Sequence, residues 1–161
     1  MIVIVIIGVV YVLALTSLRN YSDKAKNLTL TTLPEFMNSI HSHDELLLTC
    51  IDNCQACYLF RDGEFEDEID PFMDEDIRIY KYDVNLGANE ITFAPFFDEE
   101  EREFDVCFKY EVSREGVHSE MAVEEEKRVI FYPSYFGEVE VYKNIEDYVE
   151  AEEERRQKAI D

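Results

Sequence analysis

From Phe104 to Val112 the chain alternates without a break. Phe104, Val106, Phe108, Tyr110 and Val112 form one row, and Asp105, Cys107, Lys109 and Glu111 stand between them. A period of two sustained over this length sets one row against a core and the other in water. That is the signature of a half-buried strand, most at home in an antiparallel sheet. Further runs with strand character are residues 45–52, 56–62, 77–84, 90–97, 119–123, 127–132 and 138–142. The first two flank Asn53, Cys54 and Gln55 and predict a hairpin. The chain closes with a helix from about Asn144 to Ile160. Asn144 is placed to cap it, Ile145, Tyr148 and Val149 are placed to dock it, and Glu152–Arg156 and Glu154–Lys158 pair at i,i+4 on its wet face. Phenylalanine and tyrosine together number 21, which argues for a folded core and against a disordered acidic tail.

The N-terminus has a different character. Met1 to Leu18 (MIVIVIIGVVYVLALTSL) contains no charged residue. Eighteen residues at about 1.5 Å per residue give a helix of roughly 27 Å, close to the hydrocarbon thickness of a bilayer. A helix in a protein core would carry a polar stripe, and this run has none. The expectation is a membrane-spanning helix anchored by Ile2, Val3, Ile4, Ile6, Gly8, Val12 and Leu15, leaving the bilayer near Arg19, Lys24 and Lys26. A cleaved secretory signal would need a basic n-region and a small-x-small cleavage site, which this run does not provide. A plain signal-anchor is the other alternative. The sequence thus divides into residues 1–26, helix and stalk, and residues 27–161, one acidic domain. The fold class expected is α+β: an N-terminal transmembrane or stalk helix, a mainly antiparallel sheet domain and a short C-terminal helix.

The wording of that run, MIVIVIIGVV, resembles the hydrophobic stretch of type IV pilin and type II secretion pseudopilin N-termini. In the family it follows a basic leader and a Phe-Thr-Leu-Ile-Glu-Leu string, and Met1 falls just after the position of that string. The resemblance covers about the first 26 residues, and the layout of one long helix followed by a small sheet domain agrees with it. It implies a structural subunit of an envelope filament, and the acidic charge points to a minor one. Its partners would be other pilin or pseudopilin subunits, reached through the N-terminal helix, and the inner membrane before assembly. The implied location is a single-pass inner-membrane protein with its domain on the periplasmic or extracellular side. The basic residues after the run argue for the opposite topology by charge bias alone.

Negative charge is concentrated in the later part of the chain. Residues 61–161 carry 12 Lys/Arg against 32 Asp/Glu, a net of −20 out of −22 for the whole chain. Such a surface repels nucleic acid and anionic lipid, so neither is expected as a partner. A second function class follows: a single-pass, membrane-tethered acidic binding module that recruits a basic partner or divalent cations. Within residues 62–76 nine carboxylates stand without a base. Asp62, Glu64, Asp74 and Asp76 are candidate calcium ligands, because that ion takes six to eight oxygens, while a solvated acidic loop is the favoured reading. The EF-hand spacing is absent, and no cofactor is otherwise expected.

Cys50, Cys54 and Cys57 spell C-x3-C-x2-C, with Cys107 fifty residues on and His41 and His43 upstream. Structural disulfides are favoured, and four cysteines allow three connectivities. A zinc site and a thioredoxin-like Cys54–Cys57 pair are the alternatives. Any bridge to Cys107 should lie under a loop, because Cys107 falls in the polar row of its strand. No phosphate-binding glycine loop, nucleophile elbow or H-E-x-x-H motif is present, and His41, His43 and His118 read as surface residues. An enzyme is not expected.

Overall fold

The alternating runs resolve into eleven strands and two helices in the computed structural model, which describes residues 28–98, 100–135 and 137–160. The strands are β1 (Leu46–Ile51), β2 (Ala56–Arg61), β3 (Glu64–Ile69), β4 (Arg78–Asp83), β5 (Gly87–Glu90), β6 (Phe96–Phe97), β7 (Glu103–Phe104), β8 (Val106–Val112), β9 (Met121–Glu125), β10 (Arg128–Tyr132) and β11 (Glu140–Tyr142). The helices are α1 (Leu33–Ile40) and α2 (Ile145–Ile160). One sheet has the order β3-β2-β1-β8, a second β11-β10-β9-β4-β5, and β6 and β7 form a separate two-stranded ribbon. All of these pairings are antiparallel.

The two larger sheets share one core. From the first come Leu46, Leu48, Leu59, Ile69, Phe108, Tyr110 and Val112, and from the second Ile79, Met121, Val123, Ile130 and Tyr132. The rings of Tyr110 and Tyr132 meet edge-on across the gap at 5.2 Å. Leu30, Leu33, Phe36 and Met37 close the same core from the N-terminal side, where the Tyr132 hydroxyl donates to the Leu30 carbonyl at 2.7 Å. That bond matters because a buried carbonyl without a donor carries its full desolvation cost. The outer face of the second sheet is covered by α2: Tyr148, Ile145 and Val149 pack on Tyr80, Ala122, Val129 and Phe131. Asn144 caps this helix as expected, its side-chain oxygen accepting from the Asp147 amide at 2.8 Å. Glu152 is paired by Arg155 at i,i+3 in place of Arg156.

The α+β expectation is corrected: the described chain is mainly β, two packed sheets and a ribbon with two helices. Among the described residues no long stalk helix runs into the domain. The N-terminal helical segment is eleven residues, a single 3-10 turn (Leu30–Thr32) followed by α1. The physical reason lies at Thr29, which is extended (φ −140°, ψ 163°) and closes a capping box with Thr32, so a helix begins afresh there. Pro34 in the first turn of α1 fits a helix start and no helix interior. The single-pass inner-membrane placement is corrected as well: among the described residues no helix is long and apolar enough to cross a membrane. The expected span Met1–Leu18 and its anchor residues Ile2, Val3, Ile4, Ile6, Gly8, Val12 and Leu15 lie outside the described residues.

Three further differences concern strands. The alternating run at 104–112 divides into β7 and β8, and the run at 90–97 keeps Phe96–Phe97 as β6 while Glu90 ends β5. β3 arises inside the acidic stretch read as a solvated loop. It is an edge strand with β2 as its neighbour, so most of its side chains stay in water and carboxylates are tolerated there.

Candidate functional site

The outer face of the first sheet is built from the row that the core rejects. Leu48 pairs with Leu59 and with Tyr110, and all three face inward. Period two then turns Leu47, Thr49 and Ile51 outward, opposite Phe60, Tyr58 and Ala56. Phe65 of β3 stands opposite Phe60 and continues the row to the sheet edge. A face of this kind is ordinarily polar. Here it is aromatic, and the β6–β7 ribbon lies beside it.

Tyr58, Phe60, Phe65, Phe96, Phe97 and Phe104 line a groove of about 400 Å³ over Ile51. Phe60 is its hub, with ring centroids 6.2 Å from Phe65 and 5.9 Å from Phe96. Tyr58 meets Phe65 edge-on at 6.3 Å. Phe65 and Phe97 keep 62% and 57% of their surface in water, unusual for rings of this size in contact with other aromatics. Asp52, Asp98 and Arg102 form the rim. The Arg102 guanidinium sits 5.9 Å over the Phe104 ring and donates to Asp98 through Nε at 2.6 Å. Burial pushes the Asp98 carboxyl up, but backbone and guanidinium hydrogen bonds from Arg102 outweigh it and hold the group below its ordinary range. Arg102 is therefore a tethered cation already resting on an aromatic face of the groove.

The floor beside the groove is pinned by the cysteines. Cys50 and Cys57 are direct cross-strand partners in the first hairpin and are bridged, and Cys54 in its turn is bridged to Cys107 at the start of β8. No cysteine is free, so the zinc and redox-pair alternatives fall away. Cys54 is buried while Cys107 is only partly so, which places the second bridge at the core margin. Asp52, Asn53 and Cys54 all have positive φ (53°, 53° and 63°). Aspartate and asparagine tolerate this region better than other side chains, and the bridge holds Cys54 in it.

The candidate metal ligands are not gathered. Asp62 accepts from Arg114 at 2.7 Å at the β2–β3 turn, and Glu64 begins the exposed edge strand. Asp74 and Asp76 line a separate cleft with Glu75, Glu124, Glu126 and Arg78. Among the described residues no group of three or more His, Cys, Asp or Glu could hold a metal ion. The histidines stand apart from the cysteines' chemistry. His41 Nε2 lies 3.0 Å from the Ser113 carbonyl, where it donates. His118 bonds Tyr110 through Nδ1 at 2.7 Å and Asn38 Oδ1 through Nε2 at 3.0 Å. Nε2 donates to that amide oxygen, and in the neutral ring Nδ1 is free to accept from the Tyr110 hydroxyl. Burial lowers the His118 pKa and raises that of Tyr110, in keeping with this arrangement. The network ties α1 to β8 and has no nucleophile in it.

Sequence reasoning missed the groove. One signal was available: ACYLFR, residues 56–61, is apolar in both of its alternating rows, Cys57 and Leu59 in one, Tyr58 and Phe60 in the other. A strand apolar on both faces has something to cover on each. No protein-family model matches the chain, and no curated protein or solved structure matches it.

Proposed function

We propose that this chain is a non-catalytic binding module of an oxidising, extracytoplasmic compartment, and that it recruits a basic protein partner. The observation that carries this reading is the aromatic groove, with Phe65 and Phe97 in water, on a chain of net charge −22. Aromatic side chains are enriched at interfaces, because each removes a large rigid apolar area from water at small entropic cost. The acidic surface around them attracts cations and repels both nucleic acid and anionic lipid. Two disulfides in a domain of this size belong to the chemistry of secreted and envelope proteins. The experiment is a titration of labelled oligolysine with the oxidised full chain. Saturable binding that weakens steeply from low to physiological salt is expected, with no response to oligoglutamate. No binding of oligolysine at low salt overturns the reading.

A second reading is favoured by one sequence observation, the uncharged run Met1–Leu18. Under it the chain is a minor subunit of a pilus-like filament, joined to its neighbours through that segment. A minor subunit fits better than a homopolymer, since domains carrying a net −20 over residues 61–161 alone repel one another within a Debye length of about 8 Å. The reading requires a Phe-Thr-Leu-Ile-Glu-Leu-like string in the genomic codons upstream of Met1, and a stop codon in its place sinks it.

A further inference from the structure

Resting on the binding-module reading, we propose that the basic partner is held as an extended peptide. It adds to the free edge of β3 as a further strand and seats cationic or aromatic side chains in the groove beside Phe65. Three observations meet at this place. The first is the edge itself. β3 pairs with β2 through one side, and among the described residues no strand pairs with its other side. Such an edge presents a row of backbone donors and acceptors, the template for strand addition. The Glu68 amide is partly diverted, donating to the Asp67 carboxylate at 2.9 Å, so the pairing would centre on the residues before it.

The second observation is the continuity of edge and groove. A strand beside β3 lies about 4.8 Å away and presents alternate side chains to the outer face, next to Phe65. Those side chains meet the exposed rings of Phe65 and Phe97 at the mouth of the groove. Lysine or arginine fits there twice over: the aliphatic stem lies on the rings, and the cation faces their π-surface. Arg102 over Phe104 already makes this contact within the chain. The equivalent face of the second sheet has no such room, being closed by α2.

The third observation is charge, and it selects among occupants. Glu64, Glu68 and Asp70 are exposed along β3 and just beyond it, while Glu66 is engaged by Arg61 through both of its oxygens. Edges are commonly guarded by charge, and here the guard has a single sign. It opposes pairing with a second copy, whose β3 carries the same carboxylates and whose net charge is −22, and it favours a cationic strand.

The probe is a labelled short peptide alternating lysine and phenylalanine, titrated by anisotropy into the oxidised full chain at low salt. Two arms test the seat. Phe65→Ala combined with Phe97→Ala removes rings that are mostly in water and outside the core, and is expected to weaken binding about tenfold or more while the variant still melts cooperatively. Methylating alternate backbone nitrogens of the peptide, in both registers, keeps its charge and removes its donors. One register is expected to lose about tenfold and the other little, because only one row of amides faces β3. If the peptide binds in a salt-dependent way but neither arm changes its affinity, strand addition at this groove is overturned while recruitment of a basic partner stands. If neither the peptide nor oligolysine binds, the recruitment reading fails and this proposal with it.

Discussion

Replacing Cys54 and Cys107 together with serine should cost the domain about 4 kcal/mol of unfolding free energy, and replacing Cys50 and Cys57 only about 2 kcal/mol. The difference follows from chain entropy. The Cys54–Cys107 bridge closes a loop with a sequence separation of 53, the Cys50–Cys57 bridge one of 7. A longer closed loop removes more conformations from the unfolded chain. Position in the fold points the same way. Cys50 and Cys57 sit in a hairpin already held by six paired positions between β1 and β2. Cys54–Cys107 ties the turn of that hairpin to the start of β8, where the β1–β8 register is irregular between Cys50 and Ile51. Urea unfolding of the two double-serine variants, followed by far-ultraviolet circular dichroism, measures both losses. Equal losses, or the reverse order, would show that loop entropy does not dominate here.

The second large effect is expected at Tyr148. Its side chain is buried against Phe131 and Tyr142, with ring centroids 5.3 Å and 5.7 Å away. Tyr148→Ala should cost about 3–5 kcal/mol, since truncating a buried aromatic loses both its transfer free energy and its packing partners. The loss should also be local. The α2 sequence IEDYVEAEEERRQKAI is rich in like charges, and a helix of 16 residues is marginal in water without a dock. Arg155, whose guanidinium lies 5.1 Å over the Phe131 ring, and the partly buried Ile145 and Val149 are too little to hold it. Hydrogen exchange should therefore show the α2 amides losing protection while those of β8 and β10 keep theirs. Unchanged protection in α2 would mean that Ile145, Val149 and Arg155 carry the docking by themselves.

These two sites show how far the residues speak for themselves. The α2 boundaries, its cap and its docking residues were legible, because Asn144, Ile145, Tyr148 and Val149 are a local pattern and helix geometry is local. Strands β1, β2, β4, β8 and β10 were legible for the same reason, their period of two being written in consecutive residues. The oxidised state of the cysteines could be argued from their number and spacing, but their pairing could not. Cys50 meets Cys57 because the β1–β2 register places them opposite, and Cys54 meets Cys107 because β8 runs beside β1.

What the tertiary structure decided is everything that depends on register between distant segments. β3 looked like a loop because an edge strand buries little, and its carboxylates Glu64, Glu66, Asp67 and Glu68 cost nothing in water. The helical segment before the sheets starts after Thr29 because a threonine pair caps it there, a choice that a run of apolar residues upstream does not reveal. Phe65 stands in an acidic stretch read as a loop and Phe97 at the end of an expected strand, 32 positions apart. They share a groove because Phe65 aligns with Phe60 across β2–β3, and Phe60 in turn contacts Phe96 of the ribbon. Periodicity is carried by neighbours in the chain and can be read from them. A binding face is assembled from residues whose proximity is created by strand pairing and sheet packing, and a local pattern such as that of residues 56–61 marks only one strand of it.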